Sequence, residues 1–293
     1  MVALIHKLDD INQAVKNWQA QGQKVALVPT MGGLHEGHLA LVRAARAAYQ
    51  HVVVSIYVNP TQFAAGEDFD HYPRQLAQDC AAVATCGDNI TIFAPDSLYE
   101  AGHATMITPQ GAALPWEGVH RPHFFSGVAT VVYRLFQAVP ADIAYFGEKD
   151  YQQIAVIKQM VKDLSLPILI AAVPTIRADD GLALSSRNSY LSDEERALAP
   201  RLYGEMRRCA IALLEGKTPM DACQDACQDA CASLQSQGFG EIDYFAWCDP
   251  ITLAPQEMVS ADSRLLVAVW LGQTRLIDNA SYENLCNAQK LIM

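Results

Sequence analysis

Two histidines in the segment PTMGGLHEGH at 29–38 have the residue type and spacing to do phosphate chemistry. The preceding glycines let the backbone approach a ligand closely, and a helix that begins here presents N–H groups to an anion. On that helix His35 and His38 share one face and can donate hydrogen bonds to phosphate oxygens as charge develops. The spacing excludes the zinc motif that needs histidines at i and i+4. We therefore predict a polyphosphate site rather than a solvated loop with incidental histidines.

The segment FGEKDYQQ at 146–153 offers a second set of polar groups. Lys149 can place a positive charge on phosphate, Asp150 can accept hydrogen bonds from ribose hydroxyls, and the Gln153 amide can bind a polar substrate. Such a sequence is also typical of a plain helix cap. Its position directly after an apolar run favours the binding site.

Two loops add further candidate groups. LSSRN at 184–188 carries two serine hydroxyls and the Arg187 guanidinium, in a loop that can fold over a nucleotide or serve only as a polar interdomain turn. VNPTQF at 58–63 ends another apolar run and places Asn59 and Gln62 there. Neutral amides of this kind suit a substrate with a carboxylate and hydroxyls.

The elements that must position these groups are read from hydrophobic patterning. Five short runs rich in Val and Ile lack polar alternation and are separated by segments of helical period, as in a parallel sheet covered on both faces. We predict strands at 24–29, 51–58, 90–95, 142–147 and 167–173. Ligands of such doubly wound sheets bind at the carboxyl ends of the strands, which is where the polar clusters lie.

The second half of the chain has a different order of predicted helices and strands. Residues 191–216 predict one helix, capped by Ser192 with Glu195 as its capping-box partner, and 218–236 predicts another. Short strands are predicted for EIDYFAWCD, RLLVAVWLG and TRLIDN. Helices followed by strands indicate a small α+β domain.

The predicted architecture is therefore a Rossmann-like doubly wound parallel-sheet domain at 1–175, followed by a smaller α+β C-terminal domain at 176–293 that acts as a lid. All eight histidines lie in the first 123 residues, so the second domain cannot supply a histidine acid or base.

Composition limits the class of protein. The chain has 293 residues, of which 51% are hydrophobic and 18% charged, and its net charge is -11. Such a chain can bury a large core, which excludes general disorder. It has no clustered Lys or Arg, so we expect no strong electrostatic binding to nucleic acid or to an anionic membrane. No run approaches the ~20 apolar residues of a membrane helix, and the start lacks a signal-peptide pattern, so we expect a cytoplasmic protein.

The eight cysteines are expected to be free thiols, because disulfide frameworks belong to short secreted chains. The repeat DACQDACQDAC at 221–231 spaces three of them at i, i+4 and i+8. On a helix Cys223 and Cys231 lie about 12 Å apart, which is too far to share one zinc ion. We interpret the repeat as a buried helix stripe of small apolar residues rather than as metal ligands.

PTMGGLHEGH, VNPTQF, FGEKDYQQ and LSSRN together resemble the motifs of the pantothenate synthetase (pantoate–β-alanine ligase) family, in the same order and spacing. The likeness continues to WLGQTRLIDN near the end. The family belongs to a nucleotidyltransferase-like superfamily in which HEGH corresponds to the HxGH signature. The resemblance implies a two-step reaction. Pantoate attacks the α-phosphate of ATP to give pantoyl adenylate and pyrophosphate, and β-alanine then displaces AMP.

The resemblance also implies site residues. His38 is the expected proton donor and His35 its partner. Catalytic roles fall to His35, His38, Lys149 and Arg187. ATP contacts are expected from Met31, Gly32, Gly33, Leu34, His35, Glu36, Gly37, His38, Gly147, Glu148, Lys149, Asp150, Ile176, Leu184, Ser185, Ser186 and Arg187. Gln62 is expected to bind pantoate and β-alanine and Gln153 pantoate, with Asn59 and Thr30 as further substrate-binding residues.

One segment departs from the family pattern. RPHFFSGV at 121–128 stands where the family usually has R-P-G-H-F-x-G-V, so His123 occupies the glycine position and Phe124 the histidine position. Either a backbone shift lets His123 substitute, or the imidazole is dispensable because His35 and His38 remain. We hypothesise the second, with unchanged chemistry.

Two other functions stay open from the sequence: a different adenylyltransferase of the superfamily, and a non-catalytic nucleotide-binding relative. Magnesium is expected with ATP, although its protein ligands are not evident. Asp79 is interpreted as a solvated helix carboxylate, with accessory metal ligation as the alternative. The expected partners are the small-molecule substrates, with neither nucleic acid nor membrane, and the resemblance implies a homodimer.

Overall fold

The computed structural model describes residues 2–64, 66–213, 219–256 and 258–287. They divide into two compact units. The first contains the described residues up to Glu148 together with Gln152–Ile176, and the second contains Lys149–Tyr151 and the described residues from Arg177 onward. The functional division at 175/176 stays a prediction.

The first unit is built on a six-stranded, all-parallel sheet in the order β1-β4-β3-β2-β5-β6. Its strands are β1 (Ala3–Ile5), β2 (Val25–Thr30), β3 (His51–Ile56), β4 (Ile90–Phe93), β5 (Ile143–Gly147) and β6 (Leu169–Val173). The chain moves outward from β2 to β4 and then returns across β2 to β5, which makes the β2/β5 boundary the switch point where such sheets bind ligands. The predicted fold class and the five predicted strands are confirmed.

The central strand β2 is buried on both faces, which explains its continuous apolar sequence. Val25 and Leu27 belong to one hydrophobic core, and Ala26 and Val28 belong to the other. The helices of this unit are α1 (Leu8–Ala20), α2 (Glu36–Ala48), α3 (Leu76–Ala84), α4 (Glu117–His120), α5 (Phe124–Ala138) and α6 (Tyr151–Asp163). The first core takes side chains from α1, α5 and α6, and the second takes them from α2 and α3.

The second unit has a helical layer and an antiparallel sheet in the order β7-β8-β9. Its elements are α7 (Asp193–Leu198), α8 (Arg201–Ala212), α9 (Pro219–Ser236), β7 (Ile242–Cys248), β8 (Arg264–Leu271), β9 (Thr274–Ser281) and α10 (Tyr282–Asn287). These elements confirm the predicted α+β character. The capping box is also confirmed, because Ser192 Oγ accepts from Glu195 N at 3.2 Å and Ser192 N donates to Glu195 Oε2 at 2.8 Å.

The single helix predicted over 191–216 is wrong in one respect. The chain turns at Ala199 and Pro200 and forms two helices, α7 and α8. Proline has no N–H for the helical ladder, and its ring clashes with the carbonyl four residues earlier. Pro200 therefore ends one helix and starts the next. The C-terminal part of the predicted range lies outside the described residues.

The cysteine repeat lies on α9 as a packing stripe, as predicted. Cys223 is buried, and Cys227 and Cys231 are partly buried against the core of the second unit. The Sγ atoms of Cys209 and Cys227 are 4.0 Å apart, and all eight cysteines are free thiols. Burial raises the pKa of the Cys223 and Cys231 thiols, which keeps them protonated.

Candidate active site

The turn between β2 and α2 carries the histidine motif. Gly32 and Gly33 have φ values of +87° and +62°, a backbone region that glycine enters at little cost. Thr30, the last residue of β2, stabilises the turn: its Oγ1 donates to Ser55 O at 2.6 Å and accepts from Gly32 N at 3.3 Å. Thr30 is buried, and its hydroxyl serves the protein's own backbone.

His35 and His38 form a capping box at the start of α2. His35 Nδ1 accepts from Gly37 N at 3.1 Å, and His38 Nδ1 accepts from His35 N at 3.3 Å. The ring centroids are 4.1 Å apart. Because each Nδ1 accepts a backbone N–H, the neutral rings carry their proton on Nε2. The cap therefore fixes both ring orientation and tautomer.

The interpretation of Asp79 as a solvated carboxylate is wrong. Its residue is 1% exposed, and its oxygens accept from the backbone of the turn: Oδ2 from Gly33 N at 3.1 Å and Oδ1 from Leu34 N at 2.8 Å. Gly33 and Leu34, both expected to contact ATP, donate these two N–H groups to a carboxylate of α3. Beside them a cavity of about 330 Å³ is lined by residues that include Met31, Gly32 and Asp79.

Asn59 and Gln62 lie together at the end of β3, as predicted from the sheet edge. Asn59 Nδ2 donates to Gln62 Oε1 at 3.2 Å and to Gly127 O at 3.3 Å, and Asn59 Oδ1 accepts from Tyr99 Oη at 3.0 Å. Gln62 Nε2 donates to Met31 Sδ at 2.9 Å. Met31 therefore links the Asn59–Gln62 pair to the turn that carries His35 and His38.

Gly127 was not singled out from the sequence, yet it determines how closely α5 packs against Thr61 and Gln62. A Cβ at this position would overlap Thr61 O and lie 2.8 Å from Gln62 Cα. Helix α5 can approach the turn that carries Gln62 only because residue 127 has no side chain.

Arg121 also binds the turn that carries Gln62. Its Nη2 donates to Gln62 O at 3.2 Å, and its guanidinium makes a bidentate pair with Glu67 at 2.8 and 2.6 Å. Burial raises the pKa of Glu67, but hydrogen bonding and the positive charge of Arg121 outweigh it and hold that pKa below its ordinary value.

Phe124 packs on Arg121 instead of presenting an imidazole. The Arg121 Cζ atom lies 3.9 Å from the centroid of the Phe124 ring, and the Phe125 ring is 5.0 Å away. His123 precedes α5 and is exposed. The ring at position 124 therefore packs on the guanidinium that also binds Gln62 O and the Glu67 carboxylate.

Two neighbouring glutamines at the start of α6 have different surroundings. Gln152 is buried, donates to Ala112 O and Pro115 O, and accepts from Glu117 N, so it holds the loop before α4. Gln153, the predicted pantoate ligand, is half-buried. Within the described residues its side chain makes no hydrogen bond to protein.

The remaining predicted site residues divide between the two units. Gly147 ends β5 and Glu148 follows it; β5 pairs in parallel with β2, so both residues lie on the same sheet edge as the turn that carries His35 and His38. Ile176 ends the first unit. In the second unit Lys149 Nζ lies 3.8 Å from Asp150 Oδ1. The Lys149 carbonyl accepts from Asn279 Nδ2 at 2.7 Å.

The predicted phosphate-facing loop of the second unit has its own cap. Ser185 Oγ accepts from Arg187 N at 3.3 Å and opens a short 3₁₀ turn, Ser186–Tyr190. Leu184 and Arg187 are half-buried. Asn188 Nδ2 donates to Ala183 O at 3.0 Å, which fastens the turn to the chain before it.

Within the described residues, no group of three or more His, Cys, Asp and Glu side chains is arranged to hold a metal ion. In the same part of the chain, no helix combines the length and hydropathy of a membrane span.

A doubly wound parallel sheet with a histidine-capped helix at its switch point defines a nucleotide-binding α/β protein. The family model described as pantoate-beta-alanine ligase matches residues 3–281. The chain belongs to the pantoate–β-alanine ligase family.

Individual relatives agree with this assignment. The chain is 47% identical to the pantothenate synthetase of Caulobacter vibrioides over 281 residues, which cover 94% of this chain and 97% of that protein. A crystal structure of pantothenate synthetase from Thermus thermophilus has a TM-score of 0.88 and 41% identity over 96% of this chain and 99% of its own. The crystal structure of the pantoate-beta-alanine ligase of Francisella tularensis, complexed with beta-gamma ATP and beta-alanine, has a TM-score of 0.79 and 32% identity. The match covers 97% of this chain and 98% of that one.

Proposed function

We propose that this chain joins pantoate to β-alanine at the expense of ATP and produces pantothenate, AMP and pyrophosphate. One observation carries the proposal: in a chain of this ligase family, the His35–His38 pair caps α2 directly after β2, at the switch point of the sheet. Polyphosphate chemistry is expected at that position.

The proposed reaction needs no covalent intermediate on the protein. A pantoate carboxylate oxygen attacks the α-phosphorus of ATP, and the bond from that phosphorus to the bridging oxygen breaks as pyrophosphate leaves. The β-alanine nitrogen then attacks the carbonyl carbon of the adenylate. The carbon–oxygen bond to AMP breaks, and the amine proton passes to solvent. Positioning and charge stabilisation supply most of the catalysis in such transfers.

His35 and His38 are proposed to stabilise the charge that develops on the leaving phosphates. With both Nδ1 atoms occupied by backbone N–H groups, Nε2 is the donor atom of each neutral ring. Lys149 and Arg187 are proposed to add positive charge to the phosphates, and the backbone of 147–150 and 184–187 to bind the rest of the nucleotide.

Gln62 and Gln153 are proposed to hold pantoate, and Gln62 also β-alanine. Asn59 and Thr30 are proposed as further substrate-binding residues that also order the site through their own hydrogen bonds. Both are buried, and their polar atoms already bond to the protein. Asn59 orients the Gln62 amide, and Thr30 holds the backbone at Gly32.

Magnesium is proposed to arrive with ATP, held by phosphate oxygens and water. The described residues contain no clustered ligand set, and both oxygens of Asp79 accept backbone N–H groups. No reaction step is therefore assigned to a protein-held metal. We further propose a homodimer, on the basis of the family resemblance, and a cytoplasmic location, on the basis of the sequence pattern and cysteine usage.

The test supplies the protein with ATP and pantoate, with and without β-alanine. The proposal expects pantoate-dependent pyrophosphate release, and AMP with pantothenate only when β-alanine is added. Pyrophosphate release without pantoate would indicate another adenylyltransferase, AMP release independent of β-alanine would contradict the ligase reaction, and ATP binding without turnover would indicate a non-catalytic nucleotide-binding protein.

A further inference from the structure

We propose that Asp79 is a positioning residue for the adenylation step. It would act by holding the turn that carries His35 and His38, without touching substrate itself. The inference rests on the proposed function, because it assigns a cause to the geometry of that site.

The carboxylate is built into the protein interior. Asp79 is 1% exposed, and its two oxygens accept from Leu34 N at 2.8 Å and Gly33 N at 3.1 Å. A buried carboxylate without donors is strongly unfavourable, whereas hydrogen bonds to a charged acceptor are about twice as strong as neutral ones. The turn and the carboxylate therefore stabilise each other.

The turn needs contacts from outside it, because its own glycines have no side chains that could fix its conformation. Gly32 and Gly33 have positive φ and no side chains, so they lose more backbone freedom on folding than other residues. Leu34 directly precedes His35, which caps α2. Asp79 binds the turn between the flexible glycines and the cap, and it belongs to a different helix, 45 residues away from Leu34 in sequence.

The packing at Gly32 points to the same conclusion. A Cβ there would lie 3.1 Å from Asp79 Oδ2 and 3.1 Å from Ile56 Cγ2. The turn thus lies directly against the carboxylate, and a displacement of Asp79 moves the backbone that leads to both histidines.

The negative charge of Asp79 repels ATP rather than attracting it. An experiment can therefore distinguish a purely electrostatic role of the carboxylate from a role in positioning the turn. If the carboxylate acted only through its field, Asp79→Asn would remove a repulsion and lower the KM for ATP. If it positions the turn, the new amide sets an N–H donor against a backbone N–H. Adenylation then falls although the repulsion has gone.

The first test uses the unmodified, ligand-free protein and needs no turnover. Backbone hydrogen exchange, resolved by NMR, is expected to be slow at the Gly33 and Leu34 amides because both donate to a buried carboxylate. Exchange at the rate of an open loop would overturn the inference whatever the enzyme catalyses.

The second test compares D79N with V83A. Val83 is buried on the same helix, α3, and its apolar side chain makes no hydrogen bond, so V83A lowers stability while leaving both hydrogen bonds from the turn to Asp79 in place. D79N is expected to slow pantoate-dependent pyrophosphate release by about 100-fold, the scale of a 1 Å misplacement. It should leave the reaction of preformed pantoyl adenylate with β-alanine within about threefold. V83A should leave both steps near wild type while lowering the thermal midpoint.

Three outcomes would overturn the inference: D79N adenylating as wild type, D79N with a lowered KM for ATP and unchanged kcat, or equal losses in both half-reactions. If D79N does not fold, the hydrogen-exchange result decides alone. If the wild type forms no adenylate, the proposed function fails, while slow exchange at Gly33 and Leu34 would still establish the hold on the turn.

Discussion

At the scale of single residues, the histidine pair combines structure and chemistry in the same two rings. Each Nδ1 satisfies a backbone N–H at the start of α2, which is normally done by Ser, Thr, Asp or Asn at the cap and by Glu or Gln three residues later. A substitution therefore removes both a cap and a proposed donor, and a good experiment must separate them.

His38→Ala and His38→Gln separate these two roles. Both variants are expected to bind ATP and to lose about 10²- to 10⁴-fold in pantoate-dependent pyrophosphate release, because both lack the imidazole. The glutamine amide can still accept from His35 N, so only H38A should also lose the capping contribution of about 1 kcal/mol, measured by urea unfolding. Near wild-type pyrophosphate release in either variant would contradict the role proposed for His38.

The substitution of Phe124 for the family histidine predicts a small kinetic effect. The double variant H123G/F124H restores the family residues but loses the ring beside Arg121, a cation–π contact of about 0.5–2 kcal/mol. We expect turnover to change by less than about tenfold, since His35 and His38 already supply two imidazoles. F124L is the control that removes the ring and adds no imidazole. A gain of about a hundredfold in H123G/F124H alone would show that the missing imidazole matters.

The pair of Glu67 and Arg121 predicts a pH dependence of stability. The pKa of Glu67 is held below its ordinary value of 4.5, so its contribution is fully present above that pH and is lost as pH falls through the lower, folded-state pKa. The difference in free energy of unfolding between wild type and E67Q should therefore be constant near neutral pH and shrink in acid. Urea titrations over that range measure it, and R121Q with E67Q/R121Q completes a double-mutant cycle. A difference that persists unchanged in acid would refute the assignment.

At the scale of elements, the site depends on how closely α5 approaches the turn at Thr61 and Gln62. The carbonyl of Gly127 accepts from Asn59, and the missing side chain of Gly127 gives the turn its space. The helix thus fixes Gln62 through its backbone, and neither partner can shift without the other.

Gly127→Ala is expected to destabilise the protein by about 1–3 kcal/mol and to raise the KM for pantoate, because the new methyl overlaps the Thr61 carbonyl. Gly204→Ala is the matched control: a Cβ there meets no atom within 4 Å in the interior of α8, so helix propensity should stabilise it by about 0.5–1 kcal/mol. Thermal unfolding and the KM for pantoate measure both variants. A stable G127A with an unchanged KM would refute the role of this close approach.

Sequence patterns were sufficient for the elements and insufficient for the contacts between them. The apolar runs located β2 to β6, because β2 to β5 are largely buried and the edge strand β6 has the same apolar sequence although it is partly exposed. Ser192 with Glu195 located the start of α7. The three-residue β1 is too short to show a pattern. Gly127 and Arg121 were missed as contributors to the site, and Asp79 was wrongly assigned to solvent, since their partners lie 45 to 68 residues away in sequence. Periodicity identifies a buried face, but it does not say which loop that face will meet.

At the scale of the whole molecule, the net charge of -11 sets how a polyphosphate can be bound. Long-range attraction is unavailable to an anion near an acidic protein, so affinity must come from contacts shorter than the Debye length, about 10 Å at 0.1 M salt. The groups proposed for this purpose are His35, His38, Lys149 and Arg187, together with the cations that accompany ATP.

This balance predicts the salt dependence of ATP binding. The association rate of a fluorescent ATP analogue, followed by stopped flow, should stay level or rise as salt increases from about 0.02 to 0.2 M, because screening weakens the repulsion between two anions. Lys149→Ala should raise the dissociation rate and leave the salt dependence of association nearly unchanged, since the charge it removes acts at contact distance. A steep fall of the association rate with salt in the wild type would instead mean that a positive field extends beyond the site, and the local account of phosphate binding would then be wrong.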